Sequence, residues 1–409
     1  MTQTRRTRCV VVGGGPAGMM LGTLLARGGI DVIVLEKHAD FLRDFRGDTI
    51  HPSTLGLMNE LGLLDKFLAL PHGTITTLTG KIGDDILTIA DFSMLPEPVN
   101  KLVIMPQWDF LNFLVEQNKD NPHFTLLMKT AATGLTGHSG RVTGVNVQGP
   151  DGPFAIEADV VVACDGRHST IRAATGMKPV DIGAPMDVLW FALPKRTDDD
   201  VATGGTFAAG AILVMIDRGD IWQCGYVIGK GGEAQFRAEG LEAFRNRIVT
   251  LVPALRDRID AIKSLDDVKL LTVSVDRLAT WHRPGLLLIG DAAHTMSPVG
   301  GVGINLAVQD AVAAANILVP ALRNGAPSDD DLAAVQARRE FPAKATQTAQ
   351  VSIQNNVISH MLQKAGEQTH APLLLRALAA TRWFRRIPAQ AVGMGVRPEH
   401  ISPAILQGR

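Results

Sequence analysis

The chain has 409 residues, of which 46% are hydrophobic and 20% charged, so a large core is available and a disordered chain is excluded. Lysine plus arginine total 40 and aspartate plus glutamate 41, a net charge of −1, which lacks the basic excess of a dedicated nucleic-acid binder. Three scattered cysteines (Cys9, Cys164 and Cys224) exclude a disulfide framework or zinc cage and fit a reducing, cytoplasmic setting.

In chain order, residues 9–12 form a continuous apolar run, as in a strand buried on both faces. Residues 13–18 form a glycine turn, 19–27 are helix-compatible and end at Gly28-Gly29, and 30–36 are a second apolar strand. This is a βαβ unit, which implies a parallel sheet. A helix is expected over 53–68 with Ser53 as its N-cap, then short strands over 75–103 and an amphipathic helix over 107–119. Residues 124–127, 142–147 and 154–156 read as a β-meander, and 160–163 as another buried strand. Strands at 188–193, 207–216 and 222–228 are separated by charged turns, with a helix at 238–263 and strands at 268–275 and 285–289. Beyond 304 the period is helical, with breaks expected at Pro320, Pro327, Pro342, Pro372 and Pro388. No uninterrupted apolar run of about 20 residues is seen, so no integral membrane segment is expected. The Arg382-Trp383-Phe384-Arg385-Arg386 cluster has two readings, contact with a membrane surface or partner and a helix end that packs Trp383, of which the second is favoured.

Three motifs carry chemistry. In Gly13-Gly14-Gly15-Pro16-Ala17-Gly18, Gly13 permits the tight turn, Gly15 lets backbone approach a diphosphate, and Gly18 lets the helix pack on the strand. The helix start at Pro16 and Ala17 offers N–H groups and a positive dipole to phosphates. Glu36, followed by Lys37, lies eighteen residues after Gly18, where an acid meets ribose hydroxyls. Its charge repels a 2′-phosphate, so this site suits FAD or NAD. The second motif, residues 164–172, places Asp165-Gly166 at a strand end; a polar bend beside phosphates and an Asp-Gly turn capped by Ser169 describe it equally well. In the third, an apolar strand ends at Gly290-Asp291, followed by His294, Pro298 and Gly300-Gly301-Val302-Gly303-Ile304-Asn305. The acid suits a sugar or ribityl hydroxyl, the glycines a loop lying flat on a planar ring, and the helix start a developing negative charge. His294 reads as a packing or hydrogen-bonding residue rather than a catalytic base.

These motifs, in this order, resemble the para-hydroxybenzoate hydroxylase-like family of FAD-dependent monooxygenases over roughly residues 8–330. The resemblance implies an α/β fold with a Rossmann-like FAD-binding domain (1–75, 104–178 and 268–325), an inserted β-sheet substrate domain (76–103 and 179–267) and a helical C-terminal region (326–409). It implies FAD, reduced by NADH or NADPH, with O2 activated as a flavin C4a-hydroperoxide that hydroxylates an aromatic phenolic, polyketide or heteroaromatic molecule. It further implies that Asp165-Gly166 serves FAD and nicotinamide functions, that Asp291 binds the ribityl chain, that Arg46 lies by the flavin, and that Gln107 contacts the ribityl–phosphate region. The family often uses tyrosines to polarise a phenol; here the one tyrosine is Tyr226. With Trp190, Phe207 and Trp222 it makes a candidate pocket lining, the other reading being core. Arg46, Pro298 and Tyr226 are the catalytic candidates. A related reductase or dehydrogenase, or a flavoprotein that only binds a planar ligand, are the alternatives. The oligomeric state is left between monomer and homodimer.

Overall fold

Runs of buried β-branched residues build the central sheet. Val10 and Val11 on the strand Thr4–Val12, and Val160, Val161 and Val162 on its neighbour Gly152–Ala163, are all fully buried, leaving neither face for solvent. The computed structural model describes residues 4–42, 49–199, 203–208, 210–359, 371 and 373–407. Its largest sheet has the order His282–Arg283, Leu286–Leu288, Gly152–Ala163, Thr4–Val12, Val32–Leu35, Phe124–Leu127. From Leu286–Leu288 to Phe124–Leu127 every pairing is parallel. The strands Ala131–His138 and Arg141–Gly149 fold back antiparallel beside Gly152–Ala163. Val12, Ala163 and Leu288 are in register, so three strands end side by side. Crevices at such carboxyl ends are where open α/β sheets bind ligands.

One face of this sheet is covered by the helices Pro16–Arg27 and Gly303–Asn324, which pack on each other. The segment Val299–Asn324 is long and apolar enough to cross a membrane by length and composition alone, and most of it is buried in this core. A second, seven-stranded sheet has the order Lys269–Leu271, Met186–Pro194, Ile221–Gly229, Ala211–Asp217, Gly204–Ala208, Thr77–Ile82, Asp85–Asp91. Two chain segments far apart in sequence thus share one sheet. The helix Glu233–Leu251 covers one face of it through Phe236 and Phe244.

Several expectations need correction. Ser53 lies inside the helix Pro52–Glu60, whose N-cap is His51, and Leu64–Leu68 is a separate helix. Residues 154–156 and 160–163 belong to one strand. The strand expected over 268–275 shrinks to Lys269–Leu271, and the helix expected over 238–263 is Glu233–Leu251 followed by short turns. Pro320, Pro342 and Pro388 sit inside helices. Around Pro320 the buried Leu318, Val319 and Leu322 hold the helix together despite the missing hydrogen bond. Pro327 does separate two helices, and Ser328 and Asp331 form a capping box for Asp329–Ile353. Pro372 lies outside the described residues.

Candidate active site

The glycine turn is built by close approach of backbone. Gly13 has φ of 106°, and a methyl group there would stand 2.5 Å from Cys164 O. A methyl at Gly18 would stand 1.9 Å from Gly13 O, so the helix start is pressed onto the strand end. Gly15, the N-cap of Pro16–Arg27, has open space where a side chain would project. Pro16 occupies the first helical turn, and Ala17 is buried. Glu36 is buried at the next strand end; its Oε1 accepts from His38 N–H at 2.9 Å and its Oε2 from Gly14 N–H at 3.3 Å. Lys37 is exposed.

The second motif abuts the first. Asp165 Oδ1 accepts from Ser169 Oγ at 2.5 Å and Oδ2 from Ile171 N–H at 3.1 Å, while Ser169 caps the helix Thr170–Thr175. Burial pushes the Asp165 carboxyl up, partly opposed by these bonds. Gly166 takes φ of 81°. Arg167 lies 3.8 Å from Asp291 Oδ2, and Arg172 donates to Ala292 O at 3.0 Å, tying the second motif to the third.

The third motif closes the crevice. Gly290, at φ of 58°, is wedged so that a methyl there would be 3.3 Å from Ala307 and 3.4 Å from Ala17, bringing both helices to one point. Its N–H donates to Asp310 Oδ2 at 3.1 Å. Asp310 is wholly buried between His294 Nε2 at 2.6 Å and Arg339 Nε at 2.9 Å, and Arg339 reaches on to Glu399 at 3.1 Å. Burial pushes the Asp310 carboxyl up; the His294 and Arg339 partners more than reverse this and hold it below the usual range. Pro298 is half-buried, and Gly300 and Gly301 have φ of 80° and 63°. Gly303 begins the helix Gly303–Asn324 with open space at its Cβ position, and Ile304 is half-buried beside it. Asn305 is buried: Oδ1 accepts from His51 N–H at 3.0 Å and Thr54 Oγ1 at 2.7 Å, and Nδ2 donates to Thr49 O at 3.3 Å.

The loop is also stitched from behind. Gln347 and Gln350 of the helix Asp329–Ile353 and Gln354 just after it lie on one stripe, all buried. Gln347 Nε2 donates to Asp276 O and Thr295 O at 2.8 and 2.9 Å. Gln350 Nε2 donates to Ser297 O at 2.9 Å and Val299 O at 2.7 Å, and its Oε1 accepts from Ser297 N–H at 3.1 Å. Gln354, at the start of the π-helical turn Gln354–Ile358, donates to Ser297 Oγ at 2.7 Å.

The two faces of the seven-stranded sheet divide the candidate pocket residues. Cross-strand pairing makes one row of Trp190, Gly225, Val214, Gly205 and Gly80. Trp190 lies over Gly225, where a methyl would be 3.1 Å from its ring, and Phe207 lies over Gly205, where a methyl would be 2.8 Å from its ring. Both rings pack in one cluster with Val299 of the glycine loop. Trp222 and Tyr226 point the other way. Tyr226 pairs with Leu189, meets Phe244 edge-on at 5.7 Å, and Trp222 Nε1 donates to Asp199 at 2.7 Å. Trp222 and Tyr226 are therefore corrected to core: the period of the strand puts them under Glu233–Leu251. Burial pushes the Tyr226 phenol up, away from use as an ionised group at neutral pH.

A cleft of roughly 1090 Å³ opens beside this row, bounded by His38, His72, Trp108, Asp109, Arg218 and Gln223. Gln223 is two residues from Gly225 on the same face, and Trp108 follows Gln107, which starts the helix Gln107–Asn118 and is half-buried.

A family model described as an FAD binding domain matches residues 6–349. A 6-methylpretetramide 4-monooxygenase of Streptomyces rimosus is 35% identical over 382 residues, covering 92% of this chain and 90% of that protein. The chain belongs to the para-hydroxybenzoate hydroxylase-like family of FAD-dependent monooxygenases. A para-nitrophenol 4-monooxygenase of Pseudomonas sp. (strain WBC-3) is 25% identical over 340 residues, covering 78% of this chain and 79% of that one. Among solved structures, an anhydrotetracycline hydroxylase from Streptomyces rimosus superposes with a TM-score of 0.75 at 22% identity, over 97% of this chain and 78% of that chain. A probable FAD-dependent monooxygenase from Pseudomonas aeruginosa does so with a TM-score of 0.75 at 20% identity, over 88% and 99%.

The residues of this monooxygenase fit FAD on their own geometry. Two long helices present their N-termini at Gly15 and Gly303, each with empty space where a side chain would stand, at the ends of three adjacent parallel strands. Arg46 lies outside the described residues. Sequence reading missed His51, the Asp310–Arg339 pair and the glutamine stripe. The stripe left a signal, amides three and four positions apart on a helix, that was open to detection.

Proposed function

We propose that this monooxygenase uses NADH or NADPH and O2 to hydroxylate a planar, oxygen-bearing substrate of several fused rings. One observation carries the reading: Trp190 and Phe207 lie down over glycines in a cross-strand row, giving a low, flat floor that faces Val299 of the glycine loop. A relative named for 6-methylpretetramide supports the same direction.

Bound FAD supplies hydride acceptance from the reductant and activation of O2. The chain's own groups do the rest. The N-terminus of Pro16–Arg27 receives the diphosphate, and Glu36 accepts from the ribose. Asp291 serves the ribityl chain, with Gln107 and Asp165-Gly166 alongside; the family resemblance assigns Arg46, outside the described residues, to the flavin. The helix starting at Gly303, with Ile304 and Asn305, turns its positive end toward the ring edge where negative charge develops. Pro298 and the loop after it close the ring against the sheet, excluding water. Trp190 Nε1 is buried and has no hydrogen-bond partner among the described residues; it donates to an oxygen of the substrate. The reductant approaches through the cleft bounded by Trp108 and Gln223.

A series of phenols from one to four fused rings, scored by NAD(P)H oxidation, oxygen uptake and oxygenated product, tests this. Multi-ring members should stimulate turnover far more than the single ring. Equal coupled turnover of a one-ring phenol would overturn the flat-floor reading. Trp190→Phe keeps the ring and removes the donor, so KM should rise about tenfold with kcat little changed. An unchanged KM removes the donor role.

A further inference from the structure

The helix Arg382–Gly393 carries apolar residues on its outer side as well as its inner one. Its inner side is firmly seated through Ala389 and Val392. Ala389 is fully buried, and a methyl at Gly393 would stand 2.8 Å from Pro52 and 3.2 Å from the Phe92 ring. Val392 O accepts from His51 Nδ1 at 2.8 Å, which links this helix to the segment bonded by Asn305. The opposite side carries large apolar residues that the core does not cover. Trp383 is 63% exposed, Ile387 50% and Phe384 39%, and spacings of three and four residues place them on one ridge. Trp383 and Phe384 meet edge-on at 5.3 Å, so they stiffen each other and not the core. This corrects the expectation that Trp383 packs inward. The neighbouring strand Asp85–Asp91, against which the helix lies, also carries the exposed Ile86.

The charge around this ridge has one sign. From residue 373 to 398 the sequence holds five arginines (Arg376, Arg382, Arg385, Arg386 and Arg397) and no aspartate or glutamate, in a chain whose net charge is −1. Arg376 is engaged by Asp85 at 3.5 Å, and Arg385 Nε donates to Ala379 O at 2.5 Å; Arg382 and Arg386 are exposed on the flanks of the ridge.

We propose that this face docks on an anionic lipid surface. Trp383, Phe384 and Ile387 enter the boundary between headgroups and acyl chains, and the arginines lie among the phosphates. Aromatic and aliphatic residues on one side of a helix flanked by arginine are the chemistry of interfacial helices. Exposed apolar ridges rimmed by charge mark contact surfaces. A second copy of this chain is the poorer occupant, because a twofold contact would set the same basic face against itself. The inference does not depend on which ring system is hydroxylated.

The test uses the full-length FAD-loaded protein. It is sedimented with vesicles of phosphatidylcholine alone and of phosphatidylcholine mixed with phosphatidylglycerol, at low and high salt. Binding to the anionic vesicles, weakened by salt, with a blue shift in tryptophan emission that the W383F variant loses, is the expected result. The double variant Arg382→Gln/Arg386→Gln should lower the partition coefficient roughly thirtyfold. Ile387→Glu should abolish it while flavin remains bound. No binding to anionic vesicles, or binding unaffected by these variants, overturns the proposal. So does a dimer by light scattering that Ile387→Glu dissociates, which would assign the face to a second copy.

Discussion

The FAD crevice has two glycine-rich walls that are held in place by different means. The Gly13–Gly18 wall is closed by backbone against backbone within a few residues, and by one adjoining strand. The 290–305 wall is held by groups that come from far along the chain: Gln347, Gln350 and Gln354 bond Thr295, Ser297 and Val299, the His51 N–H and Thr54 bond Asn305, and Asp310 with Arg339 beneath bonds Gly290 and His294. The first wall has the rigidity of a tight turn. The second is a loop whose shape is set by a scaffold. On the function proposed above, the flavin ring would lie against the second, so that binding and ring placement would fall to separable parts of the molecule.

The largest expected effect is at the local wall. Gly18→Ala places a methyl 1.9 Å from Gly13 O, a distance no contact tolerates, so the turn must open. The variant should lose FAD altogether, read as the flavin-to-protein ratio after gel filtration. A variant that stays fully yellow would remove the turn as the diphosphate grip.

Next is the pH response of the scaffolded wall. Burial lowers the His51 imidazole to about 4, with the Val392 and Gly301 carbonyls pulling the other way. The ring holds its proton less tightly folded than unfolded. Between pH 6.5 and 4 the unfolded chain therefore carries more protons, and stability falls as pH drops through that window, by up to about 3 kcal/mol, then levels off below it. The difference between wild type and His51→Gln in urea midpoint against pH isolates this limb. A difference that does not change between pH 6.5 and 4 argues against a neutral buried His51.

Gln350→Leu comes third. It removes three hydrogen bonds to Ser297 and Val299 and leaves two carbonyls and an N–H buried, a cost of about 2 kcal/mol. The comparison predicts that FAD affinity falls modestly, while the reduction potential and visible spectrum of the bound flavin shift, because the ring's wall has moved and its grip has not. A variant with weakened FAD binding and an unchanged spectrum would erase the distinction between the walls.

The same contrast governs how much was legible in the sequence. The βαβ unit and the three motifs show in the text because each is a local pattern: an apolar run, then glycines, then a helix. Their meeting at one crevice follows from parallel register, which the strand order predicts. The glutamine stripe, Asp310–Arg339 and His51 act across long separations; the stripe shows only as amides at helical spacing, and nothing local distinguishes the other three from surface polar residues. Pro320, Pro342 and Pro388 misled for the same reason: tertiary packing outweighs the local helix-breaking rule. The face of the substrate sheet failed for a different cause. Trp190, Trp222 and Tyr226 all read as aromatic in strands, but facing depends on the parity of pairing, and a shift of one residue inverts it.

Tyr226→Phe carries the smallest expected effect and tests that parity directly. Tyr226 stands opposite Leu189, and Trp190, the next residue, stands opposite Gly225; the two aromatics are on opposite sides of the sheet. Tyr226 packs edge-on against Phe244 of the covering helix, and its phenol is pushed up by burial, so neither position nor ionisation suits it to polarise a substrate. Removing the hydroxyl should change stability by less than about 1 kcal/mol and leave kcat, KM and the ratio of product to oxygen consumed as they were. A tenfold or greater loss of coupled turnover in a folded, FAD-loaded Tyr226→Phe protein would put the tyrosine back at the substrate. It would also reverse the assignment of Trp190 and Phe207 to the floor, since one register cannot serve both faces.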